Sequence, residues 1–363
     1  MQETKFPAFF LPFSLSCQTS NGFFSHFCIN PKTAIMSNTL FEEIPSVDLA
    51  DFLSDNPEKR QNFVQKLGKA YEEVGFVAVK NHGYSDEDRE KLYQTVKKFF
   101  DLPEEVKMKY DFPEIQNQRG YTGKNKEKAK GFKTPDLKEF FHVGQEFTDE
   151  DAQKDAQLRE YPKNIWAEEV PEMREVCLKA FKTLEEAGRN LLRAIALYLE
   201  LDENYFEDKV RNGNSILRAL HYFPIENPDA IPDDAVRAAA HGDINLITLL
   251  MGASADGLQV LRHDGKWIPV TALPEQVVVN VGDMLSRLTN NRLKSTIHRV
   301  VNPPRELMHT SRYSIPFFMH PRSEMDLTCL ENCINAENPK LYEDITAGDF
   351  LQERLAELGF GKK

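Results

Sequence analysis

From residue 213 onward the hydrophobic period changes from helical to strand-like. "SILRALHYF", "HGDINLITLLMG", "GLQVL", "KWIPV", "QVVVNV", "TIHRVV" and "RYSIPFF" are short β-branched or aromatic runs divided by turn signals. Asp264-Gly265, between the third and fourth runs, is the strongest hairpin signal among them. Many short strands at even spacing predict a sandwich or barrel of the jelly-roll kind.

Upstream the punctuation is helical. Asn56 can cap a helix with Pro57 at its first position, an apolar face of Phe63, Leu67 and Tyr71, and Gly75 at its end. "FVAV" reads as a strand closed by "NHG" at 81–83, and Ser85 caps a second helix. Residues 103–150 read as polar and turn-rich, and 171–201 as one long helix. Thr346 and Asp349 have capping-box spacing for a last helix, with Phe350, Leu351, Leu355 and Leu358 as its apolar side. The expected fold class is mainly β with flanking helices (α+β). Its expected parts are an N-terminal helix/strand region at 36–150, a long helix and β core at 151–335, and a C-terminal helix at 336–363.

Charge and composition exclude several functions. The net charge is −12 with pI about 5.4, and no basic run stands out beyond 123–133, so nucleic acid is not expected as a partner. Five cysteines without a CxxC pair read as reduced thiols of a cytoplasmic protein. No apolar run reaches membrane-spanning length, and a monomer is expected. Residues 1–35 are Phe- and Ser-rich and nearly uncharged. Prolines 7 and 12 interrupt their apolar stretch and no A-x-A site follows, so they read as an unstructured extension, with Met36 as a plausible start.

"HGDINL" at 241–246 carries the chemistry. Residues i and i+2 share a face on a strand but not on a helix, so a strand there would project His241 and Asp243 together. Alone, a histidine beside an acid is usually a surface pair. His298, 55 residues after Asp243, supplies a third candidate donor, although by itself it could be a hydrogen-bonded core histidine. Two histidines and one carboxylate on one face form the triad that holds Fe(II) in non-haem oxygenases. In "RYSIPFF", Arg312 and Ser314 again share a strand face, and an arginine fork beside a hydroxyl fits a carboxylate. Without the triad, an ordinary strand arginine paired with a surface acid would be the better reading. His26, His82, His142, His221, His263, His309 and His320 have no partner at ligand spacing and read as structural or surface residues.

With "IPSVDL", "GFVAVKNHG", "RGYTG", "DLKEFF" and "VNVGDMLSRLTNNRLKSTIHRVVNP", these motifs resemble the isopenicillin N synthase-like branch of the Fe(II)/2-oxoglutarate-dependent oxygenases over about residues 43–320. The resemblance implies a double-stranded β-helix core and His241, Asp243 and His298 as iron ligands. It implies that Arg312 and Ser314 bind the distal carboxylate of 2-oxoglutarate, the co-substrate used with O2. The implied activity is hydroxylation, desaturation or ring closure of a small organic substrate, with succinate and CO2 as co-products. A 2-oxoglutarate-independent oxidase, a zinc hydrolase and a non-catalytic metal-binding barrel are the alternatives. Many family members carry a tyrosine before the proline of the strand entering the site. "HYFP" puts Phe223 there, and Tyr222 is expected on the other face. In "TNN", Asn291 is expected to take any left-handed turn. Family position also suggests Arg119, Tyr121 and 123–133 at the entrance.

Overall fold

Why "QVVVNV" carries almost no polar alternation is explained by the sheet that holds it: both faces of that strand are buried. The computed structural model describes residues 43–124, 126, 136–227, 229, 236–252, 256–270 and 273–357. The expectations for residues 1–35, for Leu358 and for most of 123–133 lie outside these. The strands are β1 (Ser46–Asp48), β2 (Phe76–Lys80), β3 (Gly120–Thr122), β4 (Lys138–Gly144), β5 (Ile216–Tyr222) and β6 (Ala238–His241). They continue as β7 (Ile247–Met251), β8 (Leu258–Leu261), β9 (Trp267–Pro269), β10 (Val277–Val281), β11 (His298–Val300) and β12 (Arg312–Met319). The larger sheet has the order β1-β2-β10-β7-β12-β5-β4-β3, and the smaller one β6-β11-β8-β9.

The outer face of the larger sheet packs on the helices. Val277, Val279 and Val281 of β10 join one core with Leu67 and Tyr71 of the helix Pro57–Glu73 and Leu191 and Ile195 of the helix Met173–Tyr198. The inner face meets the smaller sheet. Phe140, Leu220 and Tyr222 pack with Ala238 and Val300, and Phe76 and Val278 pack with Val260. This is the mainly β, double-stranded β-helix architecture with flanking helices.

The helical punctuation is realised as the sequence predicts. Asn56 Oδ1 accepts from the backbone N–H of Glu58 and Lys59, and Ser85 Oγ accepts from Asp88 N–H. Gly75 and Gly265 take left-handed φ of 78° and 83°, and in "TNN" both Asn290 and Asn291 do so. Thr346 caps the helix Ala347–Glu357 through Asp349.

Two expectations fail. The 103–150 stretch holds the strand β4, buried along its whole length. Its letters look mixed because Glu139 and Phe141 face the helices while Lys138, Phe140 and His142 face the barrel interior. "HGDINLITLLMG" is not one strand. β6 ends at His241, residues 242–246 turn from the smaller sheet to the larger, and β7 begins at Ile247.

Candidate metal and co-substrate site

His241 and Asp243 therefore do not meet through strand alternation. In the smaller sheet, β6 and β11 run antiparallel with His241 directly opposite His298, and their ring centroids lie 4.5 Å apart. The turn after β6 then swings Asp243 back beneath both rings. Gly282 allows the close approach that holds this turn, because a Cβ there would strike the Asn245 carbonyl. Gly282 N–H donates to Leu246 O at 2.8 Å and Asp283 N–H to Asp243 O at 2.7 Å.

The protons in this cluster follow from its partners. His241 Nδ1 lies 2.8 Å from Ala239 O, and His298 Nδ1 lies 3.2 Å from Thr296 O. A carbonyl only accepts, so both rings carry hydrogen on Nδ1 and present an Nε2 lone pair. Those Nε2 atoms lie 3.8 Å and 3.7 Å from Asp243 Oδ1. Asp243 Oδ2 is occupied, accepting from Thr248 Oγ1 at 2.6 Å and Asn280 Nδ2 at 2.8 Å. Three lone-pair donors from the three residues thus lie within 4.8 Å of one another. Burial would raise the Asp243 carboxyl, but His298, His241 and the two hydrogen bonds outweigh it and hold it below its usual value. Desolvation, then the neighbouring His298, pushes the His241 imidazole down to about 4. Imidazoles that carry hydrogen on Nδ1, an ionised carboxylate and outer hydrogen bonds that orient all three suit a divalent first-row metal.

Arg312 and Ser314 share the inner face of β12 and are buried. The expected placement of the aromatic partner is reversed. Arg312 lies opposite Tyr222 in β5, with its guanidinium carbon 5.0 Å from the Tyr222 ring centroid. Phe223 follows the end of β5 and lies against Lys124 and His221. Arg119 and Tyr121 do not line the cavity beside the triad. Arg119 is fully buried, and Tyr121 OH donates to Glu139.

Sequence reasoning misses several inward residues. Arg237 is fully buried, its Nη2 donates to Thr310 O at 2.7 Å, and its Nε and Nη1 have no acceptor among the described residues. Burial, then the positive charge of Arg312, lowers its pKa, so the two guanidiniums lie within electrostatic reach. His142 and His320, which read from sequence as structural or surface residues, line the cavity together with Arg218. Only strand pairing brings these residues together; no local spacing signals them.

Residues 44–169 match the family model for the non-haem dioxygenase in morphine synthesis N-terminal region, and residues 213–321 match the 2OG-Fe(II) oxygenase superfamily model. The chain is 35% identical to a proline hydroxylase, buaE, of Petromyces alliaceus over 327 residues, which is 86% of this chain and 98% of the relative. A solved 2OG-Fe(II) oxygenase family protein from Caulobacter crescentus is 41% identical, with a TM-score of 0.76, covering 86% of this chain and 98% of that one. A full-length Neurospora crassa protein, solved in complex with α-KG (2-oxoglutarate), is 31% identical with a TM-score of 0.76, covering 86% and 95%. The chain belongs to the isopenicillin N synthase-like 2OG-Fe(II) oxygenases and is an oxidoreductase, a dioxygenase that uses Fe(II), 2-oxoglutarate and O2.

Proposed function

We propose that His241, Asp243 and His298 hold the Fe(II), that Arg312 and Ser314 hold the distal carboxylate of 2-oxoglutarate, and that the enzyme hydroxylates a small organic molecule. The observation that carries this reading is the convergence of two Nε2 lone pairs on the one Asp243 oxygen left open by Thr248 and Asn280. When bound, iron and 2-oxoglutarate supply oxidative decarboxylation to succinate and CO2 and the oxidising power that breaks a substrate C–H bond.

The chain's own residues bind and orient. Ala239 and Thr296 carbonyls lock the two imidazole tautomers, and Thr248 and Asn280 fix the carboxylate rotamer. Arg312, backed by the Tyr222 ring and accompanied by Arg237, makes a positively charged recess. Two buried guanidiniums close together call for an anion, and a dicarboxylate co-substrate provides one. Ser314 supplies a hydroxyl on the same strand face.

Asp243→Ala tests the reading. It removes the anionic ligand, so bound Fe(II) and succinate formation should both collapse while the fold persists. Normal metal content and turnover in that variant would refute the ligand assignment.

A further inference from the structure

We propose that the cavity beside the triad takes an uncharged carboxamide or lactam as substrate, its amide group read by His320 and Asn214. This rests on the reading of the triad and of Arg312 given above. The cavity measures about 350 Å³, near the lower end for small-molecule sites, so its occupant is about the size of a single substituted ring.

The cations on the cavity lining are already engaged. Lys138 is paired with Asp136 at 2.7 Å and Arg354 with Asp283 at 3.5 Å. Arg218 donates through Nε to His142 Nε2 at 2.6 Å, and its guanidinium carbon lies 4.5 Å and 5.1 Å from the Phe140 and Phe318 ring centroids. Two uncharged side chains on the same lining are placed side by side by the larger sheet. Asn214 precedes β5 and His320 follows β12, and these strands pair with Ile216 opposite Phe318. Asn214 N–H donates to Pro321 O at 3.3 Å, and Ser215 Oγ donates to His320 O at 3.4 Å.

Asn214 and His320 are each 8% exposed. An arginine only donates, so the contact of Arg119 Nη2 with Asn214 Oδ1 at 3.5 Å fixes which way this amide faces. Nδ2 is then the end that can meet a ligand. His320 is the second, independent observation. Its Nδ1 is buried with no hydrogen-bond partner among the described residues. Burial pushes its pKa down to about 4, so the ring is neutral near pH 7, and the Asp243 charge reaches it, which places it near the triad. A neutral imidazole offers either N–H or a lone pair at Nδ1. An amide answers both forms. Its oxygen accepts from Asn214 and from a protonated Nδ1, and its N–H donates to a bare one. An ionised acid has no hydrogen to donate and brings a charge to cations that already have partners. Ile244, Ile297, Leu351 and Leu355 suit the apolar body of the substrate, whose C–H bonds would then lie beside the triad.

The test is a binding titration on Zn(II)-loaded protein saturated with 2-oxoglutarate, in which no turnover occurs. The probes are benzamide, phenylacetamide and 2-piperidone, with benzoate and phenylacetate as charged counterparts and toluene as an apolar one. At least one amide should bind, and the acids and toluene at least about tenfold more weakly. His320→Phe and Asn214→Ala should each weaken the amide by about tenfold, with partial recovery in His320→Gln, and leave the weak binding of toluene within about twofold. A loss of packing alone would weaken toluene as much as the amide. Either variant reads the effect if the other disturbs folding. Acids or toluene binding as tightly as the amides, binding of none of the amides, or full amide affinity in both variants would overturn the proposal. Failure of the wild type to bind 2-oxoglutarate is a separate result and would count against the Arg312 reading alone.

Discussion

Tyr222 and Arg312 are direct cross-strand partners, and the guanidinium lies over the tyrosine ring at 5.0 Å. The aromatic support of the proposed carboxylate clamp thus comes one residue earlier than the "HYFP" pattern suggests. A desolvated cation–π contact contributes about 1–2 kcal/mol. Tyr222→Leu should therefore raise the dissociation constant of 2-oxoglutarate by about five- to thirtyfold. Phe223→Tyr should change it by less than about twofold. Calorimetric titration of both variants checks this, and the reverse ranking would contradict the placement.

The orphaned donors of Arg237 make a prediction about the unliganded protein. A buried guanidinium beside another lowers stability until an anion arrives. Arg237→Met should melt at or above the wild-type Tm without 2-oxoglutarate and show a smaller rise in Tm when it is added. A lower Tm with an undiminished ligand shift would show that the Thr310 bond and packing dominate.

Outer hydrogen bonds to a ligating carboxylate are worth about 10–100-fold in metal affinity. Asn280→Leu and Thr248→Val each remove one bond to Asp243 Oδ2. Competition with a calibrated chelator should show weaker Fe(II) binding of that order in both. Wild-type affinity in both would mean that Asp243 needs no such orientation.

How much of this site can be seen in the chain depends on the kind of neighbour involved. His241, Asp243, His298, Arg312 and Ser314 stand out because two pairs are two residues apart and their order is distinctive. Strand alternation is nevertheless the wrong reason for His241 and Asp243 to meet. A tight turn and the cross-strand register with His298 bring them together, and neither follows from alternation within one run. Counting back from a proline puts Tyr222 on the wrong face, because it does not reveal which residue lies opposite Arg312. β4 reads as loop because both of its faces are buried against different surroundings. Arg218 and His142 are 76 positions apart and meet only through β4–β5 pairing.

His320 gives a pH prediction. Its pKa falls from 6.5 to about 4 on folding because burial disfavours the charged ring. Between those values the unfolded chain binds more protons, so stability decreases as pH falls from about 6.5 to about 4. The full loss from this group is up to about 3 kcal/mol. His320→Gln should lose less stability than wild type between pH 7 and pH 4.5 in urea unfolding. Equal losses would show that the ring reaches solvent.

Whether the triad and Arg312 together hold iron and 2-oxoglutarate is read by anaerobic titration of the apoprotein with Fe(II) and then 2-oxoglutarate, followed by visible absorption. Wild type should develop a metal-to-ligand charge-transfer band only when both are present. Asp243→Ala should develop none, and Arg312→Ala should need about ten- to a hundredfold more 2-oxoglutarate. A band of wild-type intensity in Asp243→Ala, or no band in the wild type with both present, would contradict the account.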